Sequence, residues 1–137
     1  MANERIFVGM STPWGRADSA RMLAEGIGEV GTPSHGGVWL SIERRKQLPV
    51  GFPRQTWYEE DCDWAIPFVV FAPDIVMGGE QYAVKTIMDG HHKQCLERWH
   101  PDLFELYFGV EARSMKTKFV NADGQDAMEA IAASLAT

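Results

Sequence analysis

The sequence predicts a single α+β domain, in which a small mixed or antiparallel sheet packs against three to five helices. Three observations support this fold class. The chain has 137 residues, a length typical of one domain. Short β-prone runs alternate with segments whose apolar residues recur at helical spacing. The composition, 45% hydrophobic and 23% charged, is that of a folded globular protein. We therefore treat residues 1–137 as one domain.

The first forty residues are predicted to contain three strands and one helix. Arg5–Met10 is a short β-prone run, and the turn-forming segment Ser11–Gly15 ends it. Ala17–Glu25 is predicted to be a helix that a glycine terminates. Ile27–Val30 and Val38–Ser41 are predicted strands. The loop between them is too long for a two-residue hairpin, so we expect a bulge there.

The middle of the chain is predicted to begin with a short helix and then a loop. Ser41 is a suitable N-cap for a helix over Ile42–Gln47, and the proline-bearing segment Pro49–Gln55 is predicted to be an exposed loop. Cys62–Ala72 leaves two alternatives open. Its Val-Val-Phe run favours a strand, whereas the carboxylates at its start favour a helix. Pro67 suits neither interior, and we favour a kinked helix.

The second half of the chain is predicted to be mostly helical. After a loop at Pro73–Gly79, helical spacing relates six residues, namely Val84, Ile87, Met88, His91, Cys95 and Trp99. A second helix is predicted over Asp102–Phe108, with a proline in its first turn and a glycine after its end. Ser114–Val120 is a predicted strand, and the alanine-rich Asp126–Leu135 is a predicted closing helix.

Composition also limits the classes of function. The net charge of −6 argues against direct nucleic-acid binding, because neutralising phosphates requires a basic surface. No apolar run approaches the roughly 20 residues that a membrane helix needs, and the N-terminus lacks the pattern of a secretory signal. Two cysteines are too few for a disulfide framework. We expect a cytoplasmic protein with free thiols.

The clearest candidate site is a histidine next to two glycines in the segment Thr32–Gly37. The His35 imidazole could act as a general base or a metal ligand, and the amides of Gly36 and Gly37 could hold an anion. The alternative is structural, with His35 bonding a neighbouring carbonyl and stiffening the turn. Both interpretations remain open at this stage.

A second candidate site follows in Tyr58-Glu59-Glu60-Asp61. Three consecutive carboxylates need solvent, a cation or hydrogen-bond donors around them. At most two of them can converge on a hard cation such as Mg²⁺ or on a nearby histidine. The alternative is a helix start, where a carboxylate accepts bonds from backbone amides. Two tryptophans from predicted loops adjoin these segments and could line a pocket or contact surface, Trp14 and Trp57.

A zinc site is conceivable in the predicted helical region but is not favoured. His91 and Cys95 are four residues apart and share a helix face. His92 adjoins them, but two further ligands are needed, and none has a recognised spacing unless Cys62 or His100 folds in. A histidine such as His91 on an apolar stripe is more often a core residue. We therefore predict no metal ligand and no cofactor.

Several motifs together resemble those of a small domain family of unknown function. They are Thr12-Pro13-Trp14-Gly15, Thr32-Pro33-Ser34-His35-Gly36-Gly37 and Tyr58-Glu59-Glu60-Asp61-Cys62-Asp63-Trp64-Ala65. The resemblance covers the first half of the chain and extends more loosely over 81–109. The family is found in proteobacteria, plasmids and phages, so the resemblance implies a bacterial or phage cytoplasm. It implies no activity.

The resulting lead hypothesis is a phage or mobile-element accessory protein that binds a host protein or complex. Such partners include nucleic-acid-binding enzymes, and an inhibitor of a bacterial defence system such as a CRISPR effector is the example we favour. The expected binding residues are Trp14, His35, Gly36, Gly37, Trp57, Tyr58, Glu59, Glu60 and Asp61. The alternative is a small metal-assisted hydrolase or nuclease with a divalent cation, in which the catalytic residues are His35, Glu59, Glu60 and Asp61.

Overall fold

Six strands form two antiparallel sheets in the computed structural model, which describes residues 4–109. The smaller sheet is a hairpin of β1 (Ser11–Thr12) and β2 (Gly15–Arg16). The larger sheet has four strands in sequential order, and these are β3 (Ser19–Ala24), β4 (Ile27–Gly31), β5 (Gly36–Leu40) and β6 (Trp57–Glu59). Each neighbouring pair is antiparallel, so the chain winds back and forth across one sheet.

Six helices lie within residues 4–109, five of them after the sheet. They are α1 (Ile42–Lys46), α2 (Ala65–Val70), α3 (Ala72–Gly78), α4 (Gln81–Met88), α5 (His91–Trp99) and α6 (Pro101–Phe108). The predicted α+β class is confirmed, and the sheet is antiparallel. Helices are more numerous than predicted partly because Gly90, with φ of +76°, separates α4 from α5. This left-handed conformation ends the helical path, and glycine adopts it at low cost.

The sheet lies between two apolar clusters. On one face, Val38, Leu40 and Tyr58 pack with buried side chains of the helices, including Ile66 and Leu96. On the other face, Trp39 and Val30 pack with Ile6 and Ala17 of the N-terminal segment. This alternation follows from the two-residue period of a strand. Because both faces are covered, all five residues of β5 are buried.

Three N-terminal predictions are wrong. The segment Ala17–Glu25 contains strand β3 instead of a helix, because pairing with β4 overrides its helix-favouring composition. Arg5–Met10 lies outside the strands, although its Ile6 is buried against the sheet. The loop between β4 and β5 has four residues and continuous register on both sides, and the irregular register falls instead between Met22 and Ala24 of β3.

Several later predictions are confirmed. The Ser41 Oγ accepts a hydrogen bond from the Arg44 N–H (3.1 Å) and caps α1. Helix α6 contains the predicted Asp102–Phe108 segment. The favoured helix in Cys62–Ala72 is present, but the chain breaks at Phe71 rather than at the proline, which lies in the first turn of α2.

Other predictions for the second half are wrong or untested. Pro73–Gly79, predicted as a loop, mostly forms α3, and β6 was not predicted at all. Pro49–Gln55 is a loop as predicted, but it is not wholly exposed because Phe52 is buried. The predicted strand Ser114–Val120 and the predicted helix Asp126–Leu135 lie outside the described residues.

The core histidine is His92 rather than His91. Its side chain is 2% exposed in α5, and its Nδ1 has no hydrogen-bond partner among the described residues. Burial lowers the pKa of His92 from its ordinary 6.5 to about 4, with a smaller contribution from the positive charges of Lys93 and His91. The imidazole is therefore neutral in the folded protein at neutral pH.

This burial predicts acid sensitivity between pH 6.5 and pH 4. Protonation of His92 favours the unfolded chain in this interval, because the folded-state pKa lies below the unfolded one. Because the unfolded chain takes up this proton, the free energy of unfolding should fall by up to about 3 kcal/mol as the pH falls from 6.5 to 4. Urea denaturation of wild type and His92→Leu at both pH values measures this loss, which should be smaller in the variant.

The matched control is His91→Gln, since His91 is an exposed neighbour on the same helix. It should keep the wild-type dependence on pH. An equal loss of stability in wild type and His92→Leu over this interval would contradict the prediction.

Candidate functional site

The His35 loop is a four-residue connection between β4 and β5. The Thr32 N–H donates to the His35 carbonyl (2.7 Å), and the Thr32 hydroxyl accepts from the His35 N–H (3.1 Å). These bonds close the loop through backbone groups and the Thr32 hydroxyl, and the imidazole takes no part in them. The side chain of His35 is 55% exposed. Local bonds thus shape the turn without using the ring.

The acidic segment begins where β6 ends, directly beside this loop. Gly37 of β5 pairs with Glu59 of β6, and the Glu60 N–H donates to the Gly36 carbonyl (3.0 Å). The Nδ1 of His35 then lies 3.6 Å from Oε1 of Glu60, whose side chain is 51% exposed. The two segments singled out from the sequence therefore meet at one end of the sheet, in contact with solvent.

The three carboxylates at this end do not converge. The Glu59 carboxylate turns back and accepts a hydrogen bond from the Cys62 N–H (2.9 Å), whereas Glu60 and Asp61 are exposed. Burial acts to raise the pKa of Glu59, but hydrogen bonds from Cys62 and from the Asp61 and Asp63 backbone outweigh it, so the pKa is lowered. The Glu59 side chain therefore caps the turn that follows it, by accepting a backbone N–H three residues later.

Packing within the sheet accounts for the paired glycines. Both are buried in β5, and a Cβ on Gly36 would collide with the Val30 carbonyl, just as one on Gly37 would collide with the Tyr58 carbonyl and Trp14. The close approach that these glycines allow is therefore made by neighbouring strands and Trp14.

The aromatic candidates near this end are partly or wholly buried. Trp14 and Trp57 are half-buried and meet edge to face, with ring centroids 5.9 Å apart. Tyr58 is fully buried on the opposite face of the sheet, and its hydroxyl donates to the Pro53 carbonyl (2.6 Å). The exposed candidates at this end are His35, Glu60 and Asp61.

A cleft of about 350 Å³ runs between the sheet and α4, and Glu60 and His91 reach its edge. Arg21 lies in it, but its guanidinium already binds Glu29 (3.0 Å) and Glu80 (3.2 Å). Burial raises the pKa of Glu29, and Arg21 partly opposes this effect. Because two carboxylates hold the guanidinium, Arg21 is not free to bind an anionic ligand in this cleft.

A cluster that sequence reasoning missed lies after the acidic segment. The Asp63 Oδ1 is 3.0 Å from His100 Nε2 and 3.8 Å from Cys62 Sγ. These three atoms, each of which can ligate a metal, lie within 4.8 Å of one another. Cys95 is adjacent, since its thiol donates to the Cys62 carbonyl (3.6 Å). Burial, followed by hydrogen bonding to Glu59, raises the pKa of Cys62 to about 11.

Only part of this cluster could be anticipated from the sequence. The sequence indicates Cys62 and His100 only as additional ligands for a site built on His91 and Cys95. The structure instead places Cys62 and His100 together with Asp63. An adjacent Cys-Asp pair followed by a distant histidine is too common a pattern to predict such a contact.

The comparisons with known proteins yield a family but no activity. A family model described as a domain of unknown function (DUF7007) matches residues 8–130. The chain belongs to this family. No curated protein and no solved structure matches the chain significantly. The DUF7007 match spans both sheets and all the helices described above, so the His35 loop and the Cys62 cluster both lie within the family domain.

The resemblance to an uncharacterised domain family is thus confirmed at the level of the DUF7007 domain. As to membrane association, the helices of residues 4–109 lack the combination of length and apolar character needed to span a bilayer.

The turn after β6 predicts a defined effect of removing one charge. Glu59→Gln keeps an acceptor for the Cys62 N–H but loses the charge-assisted bond, so the free energy of unfolding at pH 7 should fall by about 1 kcal/mol. Because the folded-state pKa of Glu59 is lowered, this stabilisation is fully present above its ordinary 4.5 and is lost as the pH falls through the folded value.

Urea denaturation at pH 7 and pH 3 measures the effect, which should shrink at pH 3. Asp61→Asn, at an exposed carboxylate in the same turn, is the matched control and should change stability little. Equal effects of the two substitutions at pH 7 would show that Glu59 is not the cap.

Proposed function

We propose that this DUF7007 protein acts by binding a host protein through the exposed end of its sheet. The docking surface consists of His35, Glu60 and Asp61. The observation that carries the proposal is the exposure of the two carboxylates next to the His35 loop. Paired and exposed carboxylates resemble phosphates in charge, so a basic partner surface is the complementary one.

The distribution of charge at this end supports a basic partner. Asp18 is exposed, and its N–H donates to the Gly31 carbonyl (2.9 Å), which places it at the same end of the sheet as Glu60 and Asp61. The nearby Arg21 is held by Glu29 and Glu80 and offsets little of this charge. The net charge of the chain, −6, acts in the same direction.

The biological setting of the proposal is a phage or mobile genetic element. In this setting the partner is a host protein that itself handles nucleic acid, and inhibition of a defence system such as a CRISPR effector is the favoured example. Such a protein presents the basic groove that a carboxylate surface would occupy. The proposal places the protein in the cytoplasm and assigns it no cofactor.

Charge reversal tests this docking surface. In Glu60→Lys/Asp61→Lys, two carboxylates that face the basic partner become cations, so affinity should fall by about 2 kcal/mol, roughly 30-fold in Kd. The partner is first captured from a lysate of the native host and identified. Binding of the purified partner is then measured at low and high salt, and the salt dependence should weaken in the variant.

The matched control is Glu25→Lys/Glu43→Lys, which reverses two exposed carboxylates at the opposite end of β4 and β5. It should retain most of the affinity, since it changes net charge equally but lies away from the surface. Equal losses in both double variants would indicate a general charge effect and would contradict the assigned surface.

A second candidate, a metal-assisted hydrolase or nuclease, is favoured by one observation. His35 Nδ1 lies 3.6 Å from Glu60 Oε1, so an imidazole and a carboxylate share one exposed site as general acid–base chemistry requires. Against it, Glu59 is committed to its turn and the pair is open to solvent. Of the three predicted carboxylates, Glu60 and Asp61 therefore remain to hold a cation beside His35.

Single-site substitution tests this candidate. With a single-stranded nucleic-acid substrate and Mg²⁺ or Mn²⁺, His35→Ala should abolish cleavage while leaving the urea midpoint unchanged, and chelation should have the same effect. Ser34→Ala, in the same loop, is the control that should remain active. Activity that survives in His35→Ala would remove this candidate.

A further inference from the structure

We propose that Cys62, Asp63 and His100 form a binding site for a divalent transition metal of the zinc class. The three side chains come from two parts of the chain that are distant in sequence. Cys62 and Asp63 lie in the turn after β6, and His100 is the residue between α5 and α6. Their donor atoms, Sγ, Oδ1 and Nε2, lie within 4.8 Å of one another.

Two of the three donor separations are close to those around a tetrahedral metal. Zinc bonds of about 2.3 Å to sulfur and about 2.0–2.2 Å to nitrogen and oxygen place neighbouring donors roughly 3.4–3.6 Å apart. The observed separations are 3.0 Å between Asp63 Oδ1 and His100 Nε2, and 3.8 Å between Asp63 Oδ1 and Cys62 Sγ. The third pair, Cys62 Sγ and His100 Nε2, lies within 4.8 Å. Closing the site on one ion therefore requires the thiol and the imidazole to approach each other by at most about 1.2 Å.

The chemistry of the donors selects the class of metal. Thiolate and imidazole ligands favour zinc and its softer neighbours, whereas Mg²⁺ and Ca²⁺ favour oxygen ligands. A second carboxylate adds negative charge close by, since Glu59 Oε1 lies 3.4 Å from Cys62 Sγ. The side chains of Asp63 and His100 are 32% and 26% exposed, so an ion can enter from solvent and a water can take the fourth position.

The same geometry does not fit a cysteine nucleophile. Such a thiol needs a neighbouring base or positive charge that favours its thiolate form. Here the Cys62 thiol donates to Glu59, and Asp63 is the partner of His100. A carboxylate thus lies between the thiol and the imidazole, an arrangement suited to sharing a cation.

Metal binding by the full-length chain tests the site directly. The protein, kept reduced and freed of metal with a chelator, is titrated with Zn²⁺ and Co²⁺, and its melting temperature is recorded with and without Zn²⁺. We expect one ion per chain, a higher melting temperature, and a cobalt–thiolate charge-transfer band. Cys62→Ser should remove the band, and His100→Gln should weaken Zn²⁺ binding by at least about tenfold. Mg²⁺ should not compete.

Two matched controls keep the proposal falsifiable. Cys95→Ser removes the neighbouring thiol, and His91→Gln removes an exposed histidine from α5, the helix that also contains Cys95. Both should bind Zn²⁺ as wild type does, and circular dichroism checks that each variant is folded. If Cys62→Ser fails to fold, Asp63→Asn and the cobalt spectrum of wild type decide the question. The proposal is overturned if wild type binds no ion stoichiometrically, if its cobalt complex lacks the thiolate band, or if the controls lose binding as the ligand variants do.

Discussion

Pairing of β5 with β6 positions the candidate groups of this protein. It sets Gly37 opposite Glu59 and carries the chain past the His35 loop at the point where β6 ends. The pairing requires a strand without side chains at this end, because the carbonyls of Val30 and Tyr58 occupy the space that a Cβ would need. The glycines thus act through packing, and the exposed chemistry at this end follows from the register they permit.

Local sequence signals were sufficient to predict helices that begin at a capping residue or a proline. Ser41 ahead of α1 and the proline that opens α6 are capping and helix-start signals, and both helices are present. β3 shows the limit of such signals, because its alanine, methionine and leucine favour a helix while its pairing with β4 is a long-range interaction. Gly90 likewise divides a continuous helical pattern, since apolar spacing alone carries no information on where a helix changes direction.

The same limit, that local signals do not encode long-range contacts, applies to the candidate site. The proximity of His35 and Glu60 could not be derived from local signals, because it depends on the pairing of β5 with β6, a strand that the sequence analysis did not predict. The separate role of Glu59 could not be derived either, because it depends on a hydrogen bond to the Cys62 N–H in a turn whose shape the sequence leaves open. The contact between Asp63 and His100 depends on where the α5–α6 junction packs, which a pattern of residue types does not encode.

The turn after β6 connects the two proposals. Glu60 and Asp61 are exposed, whereas Glu59, Cys62 and Asp63 are partly buried and make contacts within the protein. A side chain that must meet a partner loses conformational freedom on binding, and that cost falls when the backbone beneath it is already fixed. The bond from Cys62 to Glu59 fixes one end of the turn, and a metal held by Cys62 and Asp63 would fix the other. If both proposals hold, metal binding should strengthen docking without contributing a contact to the partner, because it orders the carboxylates in advance.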